Sequence, residues 1–187
     1  TEGQVAGARQ VHGTEVRIVE QPGQYAGYDA LITREQGVLL TVTTADCLPI
    51  LLYAPGQQVL SAVHAGWRGT VGGIAGKTLQ KMRRHFGVEP ADCYAYLGPC
   101  IDYCSFEVDA DVADYFTLDL KRWEAARGKY LVDLQAANRV QLLAAGLSAK
   151  RIGLSPYSTY TDADLFFSYR RDGGTTGRML TVIGRQE

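Results

Sequence analysis

The sequence predicts an α+β fold made as a single domain. Three observations carry this. Strand-length apolar runs rich in β-branched residues mix with two well-patterned helices, without the strict βαβ alternation of a doubly wound sheet. No Pro/Gly/Ser linker and no internal repeat divides the chain, so residues 1–187 read as one unit. The balance of 46% hydrophobic to 21% charged residues is that of a globular protein with a core.

The elements follow in chain order. Residues 37–44 (GVLLTVTT) read as a buried strand, because β-branched and apolar side chains fill it on both faces. Residues 50–54 (ILLYA) form another. Pro55-Gly56 then turns the chain, and residues 59–63 (VLSAV) return, which predicts a hairpin over 50–63. Ile74–Phe86 is the best early helix: Ile74, Leu79, Met82 and Phe86 approximate an apolar stripe, with Lys77, Lys81, Arg83 and Arg84 mostly off it. Tyr94–Leu97 is a short strand and residues 109–116 a short helix. Residues 133–145 form a second strong helix, with Asp133 at its start and Gly146 as its stop. Met179–Ile183 closes the chain as a strand.

Composition excludes several functions. Nineteen basic residues against twenty acidic ones give a net charge of −1, without the basic excess of a nucleic-acid-binding module. No apolar run reaches the roughly 18 residues of a membrane span. The N-terminal TEGQVAGARQ lacks a signal pattern, and four cysteines are too sparse for a disulfide scaffold. Free thiols in the cytoplasm are the expectation.

Two motifs fail on spacing. Gly72–Thr78 ends like a phosphate-binding loop, but the required upstream glycine position is Val71. Pro99-Cys100-Ile101-Asp102-Tyr103-Cys104 is one residue too long for the zinc nucleobase-deaminase signature, and His12 has no Glu at the needed spacing.

Three other segments point to chemistry. They are QVHGT (10–14), TTADCLPI (43–50) and AVHAGWRG (62–69). Each places one metal-ligand type, His12, Cys47 or His64, at a strand end or a glycine-bounded turn. Two His and one Cys suit zinc and leave a fourth tetrahedral position open. The same three residues also suit nucleophilic catalysis, with Cys47 attacking and a histidine activating it. Asp46 is placed to orient a histidine or shuttle a proton, and Arg68 to clamp an anion. Residues 166–178 (FFSYRRDGGTTGR) add a polar loop with Ser168, Arg170 and Arg171 as anion-binding candidates. Gln10 completes the candidate substrate contacts.

QVHGTEV, TADCLPILLY, HAGWRG, LGPCI, FEV and FFSYRRDGGTTGRM occur in that order from Gln10 to Ile183. This set resembles the laccase-domain family, also described as multicopper polyphenol oxidoreductase and as purine nucleoside phosphorylase-like. The resemblance implies a layered α/β/β/α sandwich with mixed sheets. It implies one metal per chain, usually zinc with copper as the alternative, on His12, Cys47 and His64. Cys47, His64, Asp46 and Arg68 are the candidate catalytic residues. The implied activity is phosphorolysis of adenosine, inosine or methylthioadenosine, with adenosine deamination beside it; polyphenol oxidation and cysteine-hydrolase chemistry are the alternatives. The expected partners are a purine nucleoside and phosphate, with no nucleic acid and no membrane, in a monomer or homodimer. Family members usually carry about sixty residues before the first motif, so the chain is expected to lack an N-terminal segment. Ser158-Thr159-Tyr160 stands where the family often has Cys-Thr-Tyr.

Overall fold

A computed structural model describes residues 4–185. The strands come in the order β1 (Val5–Arg9), β2 (Val16–Ile18), β3 (Gly23–Ala26), β4 (Ala30–Thr33), β5 (Leu39–Thr44), β6 (Leu48–Ala54) and β7 (Val59–Ala65). Helices α1 (Trp67–Val71) and α2 (Ile74–Phe86) follow, then β8 (Tyr94–Leu97), β9 (Glu107–Val108) and α3 (Ala110–Ala113). The hairpin β10 (Lys121–Glu124) and β11 (Lys129–Val132), α4 (Leu134–Ala144), β12 (Ile152–Leu154) and β13 (Met179–Ile183) complete the chain.

Two mixed sheets stack. One has six strands in the order β12-β8-β6-β7-β4-β2, and the other has four in the order β13-β5-β1-β3. The predicted hairpin is the spine of the larger sheet: β6 and β7 pair antiparallel from Leu48↔Ala65 to Ala54↔Val59. Alternation along β6 feeds two cores. Leu48, Ile50 and Leu52 face α2 and α4, where they bury against Ile74, Leu79, Met82 and Leu142. Leu51 and Tyr53 face the other way and meet Leu40, Val42 and Ala62 between the sheets. The layers formed by the described residues are therefore helices, six-stranded sheet and four-stranded sheet. A third core, around Ile101, Phe106, Phe116 and Leu134, sits under the small sheet β10-β11-β9.

The helix ends are set by local chemistry. Asp133 caps α4 by accepting a hydrogen bond from the Ala136 N–H at 2.8 Å, and Gly87 ends α2 at φ +64°, a conformation that costs glycine little. The helix expected over 109–116 is shorter. Only Ala110–Ala113 is α-helical, because Asp109 makes no side-chain cap and the chain then tightens through a Phe116 N–H to Ala113 C=O bond that buries Phe116. Thr78, the last residue of the failed phosphate-loop motif, is buried in α2. Among the described residues, no helix is long and apolar enough to cross a membrane.

Candidate active site

Three chain segments converge where the two sheets meet. The loop after β1 brings His12, the turn between β5 and β6 brings Cys47, and the end of β7 brings His64. Their ligand atoms all lie within 4.8 Å of one another. The imidazole rings of His12 and His64 meet edge to face, 4.8 Å between centroids. His64 is buried, Cys47 half-buried and His12 exposed.

The backbone is bent to achieve this. His12 has φ +60° and Asp46, beside Cys47, has φ +85°. Left-handed conformations are strained for residues with a Cβ and persist where surrounding bonds enforce them. At Asp46 the enforcement is visible: its carboxylate accepts the Thr159 hydroxyl at 2.6 Å and the Arg170 N–H at 2.7 Å. Its carbonyl accepts the Ile101 N–H at 3.0 Å. Both carboxylate oxygens thus hold the turn that carries Cys47 to two other segments.

Glycines make the close approach possible. A Cβ on Gly66 would sit 3.0 Å from Cys47 Sγ and 3.2 Å from His12 Cδ2. A Cβ on Gly69 would sit 3.0 Å from the Gly13 carbonyl, and one on Gly72 would strike the Thr14 methyl. Gly66, Gly69 and Gly72 are therefore the seat for the His12 loop. Lys77 also donates to Thr14 Oγ1 at 3.0 Å.

Within the ligand cluster, sequence reasoning missed Asp29. It is fully buried just before β4, and one of its oxygens lies 2.8 Å from His64 Nδ1. The same carboxylate accepts the N–H groups of Val11, His12 and Gly13. Its only sequence signal is a lone acid in front of the apolar run Ala30–Thr33, 35 residues from the histidine it meets.

The charges are mutually tuned. Burial opposes the imidazolium of His64, but the bonds to Asp29 and Cys47 more than offset it and raise the pKa to about 9. Burial likewise opposes the Cys47 thiolate, yet His12 and His64 bring it down to about 7. Burial raises Asp29, and the bonds from His64, Gly13 and Val11 outweigh that and leave it below the usual carboxylate range.

The cluster lines a cavity of about 870 Å³, within the range that takes small organic ligands. Arg9, Gln10, Gln24, Thr43, Ile101, Phe106, Tyr169, Arg170 and Arg178 line it as well. Gln10 is held by a pair of bonds to the Thr43 backbone, at 2.7 and 2.8 Å. The Arg170 guanidinium lies 5.6 Å from the Phe106 ring centre and bonds the Glu107 carbonyl. Arg178 lies 5.9 Å from the Tyr169 ring centre. Neither Arg9, Arg178, Phe106 nor Tyr169 was singled out from the sequence, because their approach is purely tertiary.

Three predicted residues lie elsewhere. Arg68 is exposed on α1, stacked 4.3 Å from the Trp67 ring centre, and does not line the cavity. Arg171 spends its guanidinium on the carbonyls of Thr159, Tyr160 and Phe166 and on Asp172. Ser168 is buried and accepts the Arg171 N–H. These two hold the loop that presents Tyr169 and Arg170.

The family model for multi-copper polyphenol oxidoreductase laccase matches residues 1–186. The chain belongs to this family. Its relatives within the family include purine nucleoside phosphorylase YlmD of Geobacillus stearothermophilus, 42% identical over 95% of this chain and 71% of that protein. They also include adenosine deaminase RL5 of an unknown prokaryotic organism, 38% identical over 95% of this chain and 74% of that protein. The crystal structure of the Geobacillus YlmD superposes with a TM-score of 0.94 at 40% identity, covering all of this chain and 75% of the other. The family's multi-copper description finds few ligands here. The chain has three histidines, and the third, His85, lies on α2 away from the cavity.

Proposed function

We propose that this chain is a zinc-dependent purine nucleoside enzyme that splits adenosine, inosine or methylthioadenosine with phosphate and also deaminates adenosine. One observation carries the reading: a His-Cys-His set within 4.8 Å that lines a cavity together with three arginines. The donor set fits zinc, being two imidazoles and a thiolate with a fourth position open. The pre-bent backbone and the Asp29 bond to His64 are the support a metal-binding histidine requires. When bound, zinc would supply Lewis-acid polarisation and activation of a water for deamination.

The chain's own residues supply the rest. Arg9, Arg170 and Arg178 provide positive charge for phosphate, which attacks the anomeric carbon of the ribose as the purine leaves. Ile101, Phe106 and Tyr169 offer an apolar and aromatic wall for the base. Asp46 acts by holding Arg170 and the Cys47 turn in place, since both its oxygens are engaged.

A second reading is a metal-free cysteine hydrolase. It is favoured by the Cys47 thiol brought down to about 7 between two histidines. Incubation with adenosine or inosine, with and without phosphate, separates the readings by product chromatography. Phosphate-dependent free base supports phosphorolysis, and phosphate-independent inosine from adenosine supports deamination. Neither product from zinc-loaded protein would refute the proposal.

A further inference from the structure

The two histidines of the cluster come from loops far apart in sequence, yet they share one anchor. Asp29 Oδ1 lies 2.8 Å from His64 Nδ1 and also accepts the His12 N–H at 2.9 Å. Oδ2 accepts the Gly13 N–H at 2.7 Å and the Val11 N–H at 3.2 Å. The Asp29 backbone adds to this, because its carbonyl accepts the His64 N–H at 2.7 Å. A single buried carboxylate therefore fixes the ring of one histidine and the backbone of the other.

This is more than a usual carboxylate–histidine pair. With Nδ1 engaged by Asp29, Nε2 is the nitrogen of His64 left to face Cys47 and His12. The strained φ of +60° at His12 has its explanation here too, since three successive N–H groups can reach one carboxylate only if the loop coils around it. The glycine seat on α1 limits the loop from the other side.

We propose that Asp29 is a positioning residue that sets both histidine ligands at once, so that neither is pre-organised without it. The proposal rests on the metal-site reading above. Its signature is a metal-affinity loss that survives deletion of either histidine. If Asp29 served His64 alone, its replacement would cost nothing further in a chain already lacking His64. If it also sets His12, the cost persists.

The test is zinc affinity by competition with a chromophoric chelator, in wild type, Asp29→Asn, His64→Ala, His12→Ala and the two double variants. Cobalt-substituted protein gives the coordination geometry from its visible absorption. Asp29→Asn is expected to lower affinity by about 10- to 100-fold and to alter the cobalt spectrum. It is expected to cost affinity again in both the His64→Ala and His12→Ala backgrounds. Asp29→Ser, a smaller acceptor, provides the same comparison if the Asn variant fails to fold, with thermal unfolding of the metal-free protein reporting the fold. An Asp29→Asn effect that vanishes in the His64→Ala background would overturn the two-ligand role. Unchanged affinity in Asp29→Asn, with normal wild-type binding, would overturn the inference alone. A wild-type chain that takes up no zinc would overturn this inference and the metal reading together.

Discussion

Replacing Gly66 by alanine places a methyl group inside the ligand cluster. The backbone at Gly66 has φ −70° and ψ 173°, which any residue adopts, so the substitution adds no conformational strain. The effect is purely steric. The new Cβ would lie 3.0 Å from Cys47 Sγ, 3.2 Å from His12 Cδ2 and 3.8 Å from His64 Cε1. The first two separations are tighter than ordinary contact, so Cys47 and His12 must each withdraw by a few tenths of an ångström. Metal sites hold their ligand distances to about ±0.2 Å, so that withdrawal is large on the relevant scale. Overpacking of this kind costs about 1–3 kcal/mol. Zinc affinity is expected to fall by about tenfold or more, in line with lost ligand orientation. The assay is chelator competition, paired with thermal unfolding of metal-free protein. Gly76→Ala is the control, because its Cβ meets nothing within 4 Å in the first turn of α2. It is expected to stabilise by about 0.5–1 kcal/mol and to leave zinc affinity alone. Equal zinc affinity in Gly66→Ala and wild type would refute the steric reasoning.

Other outcomes follow from the same geometry. In metal-free protein, alkylation of Cys47 should reach half its maximal rate near pH 7 rather than near the ordinary 9.0, and zinc should block it; alkylation rate against pH, read at Cys47 by peptide mass mapping, checks this. Zinc binding needs a neutral His64 and a Cys47 thiolate, so between about pH 7 and 9 it should displace one proton from His64, and below about 7 a second from Cys47. Calorimetry in buffers of different ionisation enthalpy counts these protons, and a pH-independent affinity would contradict the assignment. The raised His64 contributes stability that is fully present below 6.5 and lost as pH rises through about 9, while the depressed Cys47 contributes in the opposite sense, fully above 9.0 and lost as pH falls through about 7. The two contributions run in opposite senses over nearly the same window and largely cancel in wild type, so metal-free Cys47→Ala, which keeps His64 with its Asp29 partner, should lose unfolding temperature as pH rises toward 9 while wild type stays nearly flat. Asp46→Asn keeps a side chain that tolerates positive φ but removes one acceptor. It should raise KM for nucleoside by about tenfold through a loosened Arg170 wall while zinc content holds; steady-state kinetics with metal analysis reads both.

The central strands of both sheets were legible because they are largely buried on both faces. Residues 37–44, 50–54 and 59–63 are continuous apolar runs, and they became β5, β6 and β7. Tyr94–Leu97, Ile74–Phe86 and Met179–Ile183 were read with their observed ends. The first four strands were not read. VAGAR and GQYA carry glycine and alanine in place of β-branched residues, and VRI is too short to show a period. They are strands because they pair with long neighbours: β1 lies parallel to both β3 and β5. The chemistry divides the same way. His12, Cys47 and His64 were visible because glycines and a proline mark their turns. Asp29 was not, because its meaning comes only from a contact with a residue 35 positions away. The arginines were sorted by tertiary structure alone. Arg170 lines the cavity while its neighbour Arg171 staples the loop beneath it.

The most direct test of the central claim compares zinc-loaded and metal-stripped chain in turnover of inosine with phosphate, followed by chromatography of the free base. The account predicts hypoxanthine only when zinc and phosphate are both present, and none from a His64→Ala chain. Undiminished phosphorolysis by the metal-stripped chain, or by His64→Ala, would contradict it.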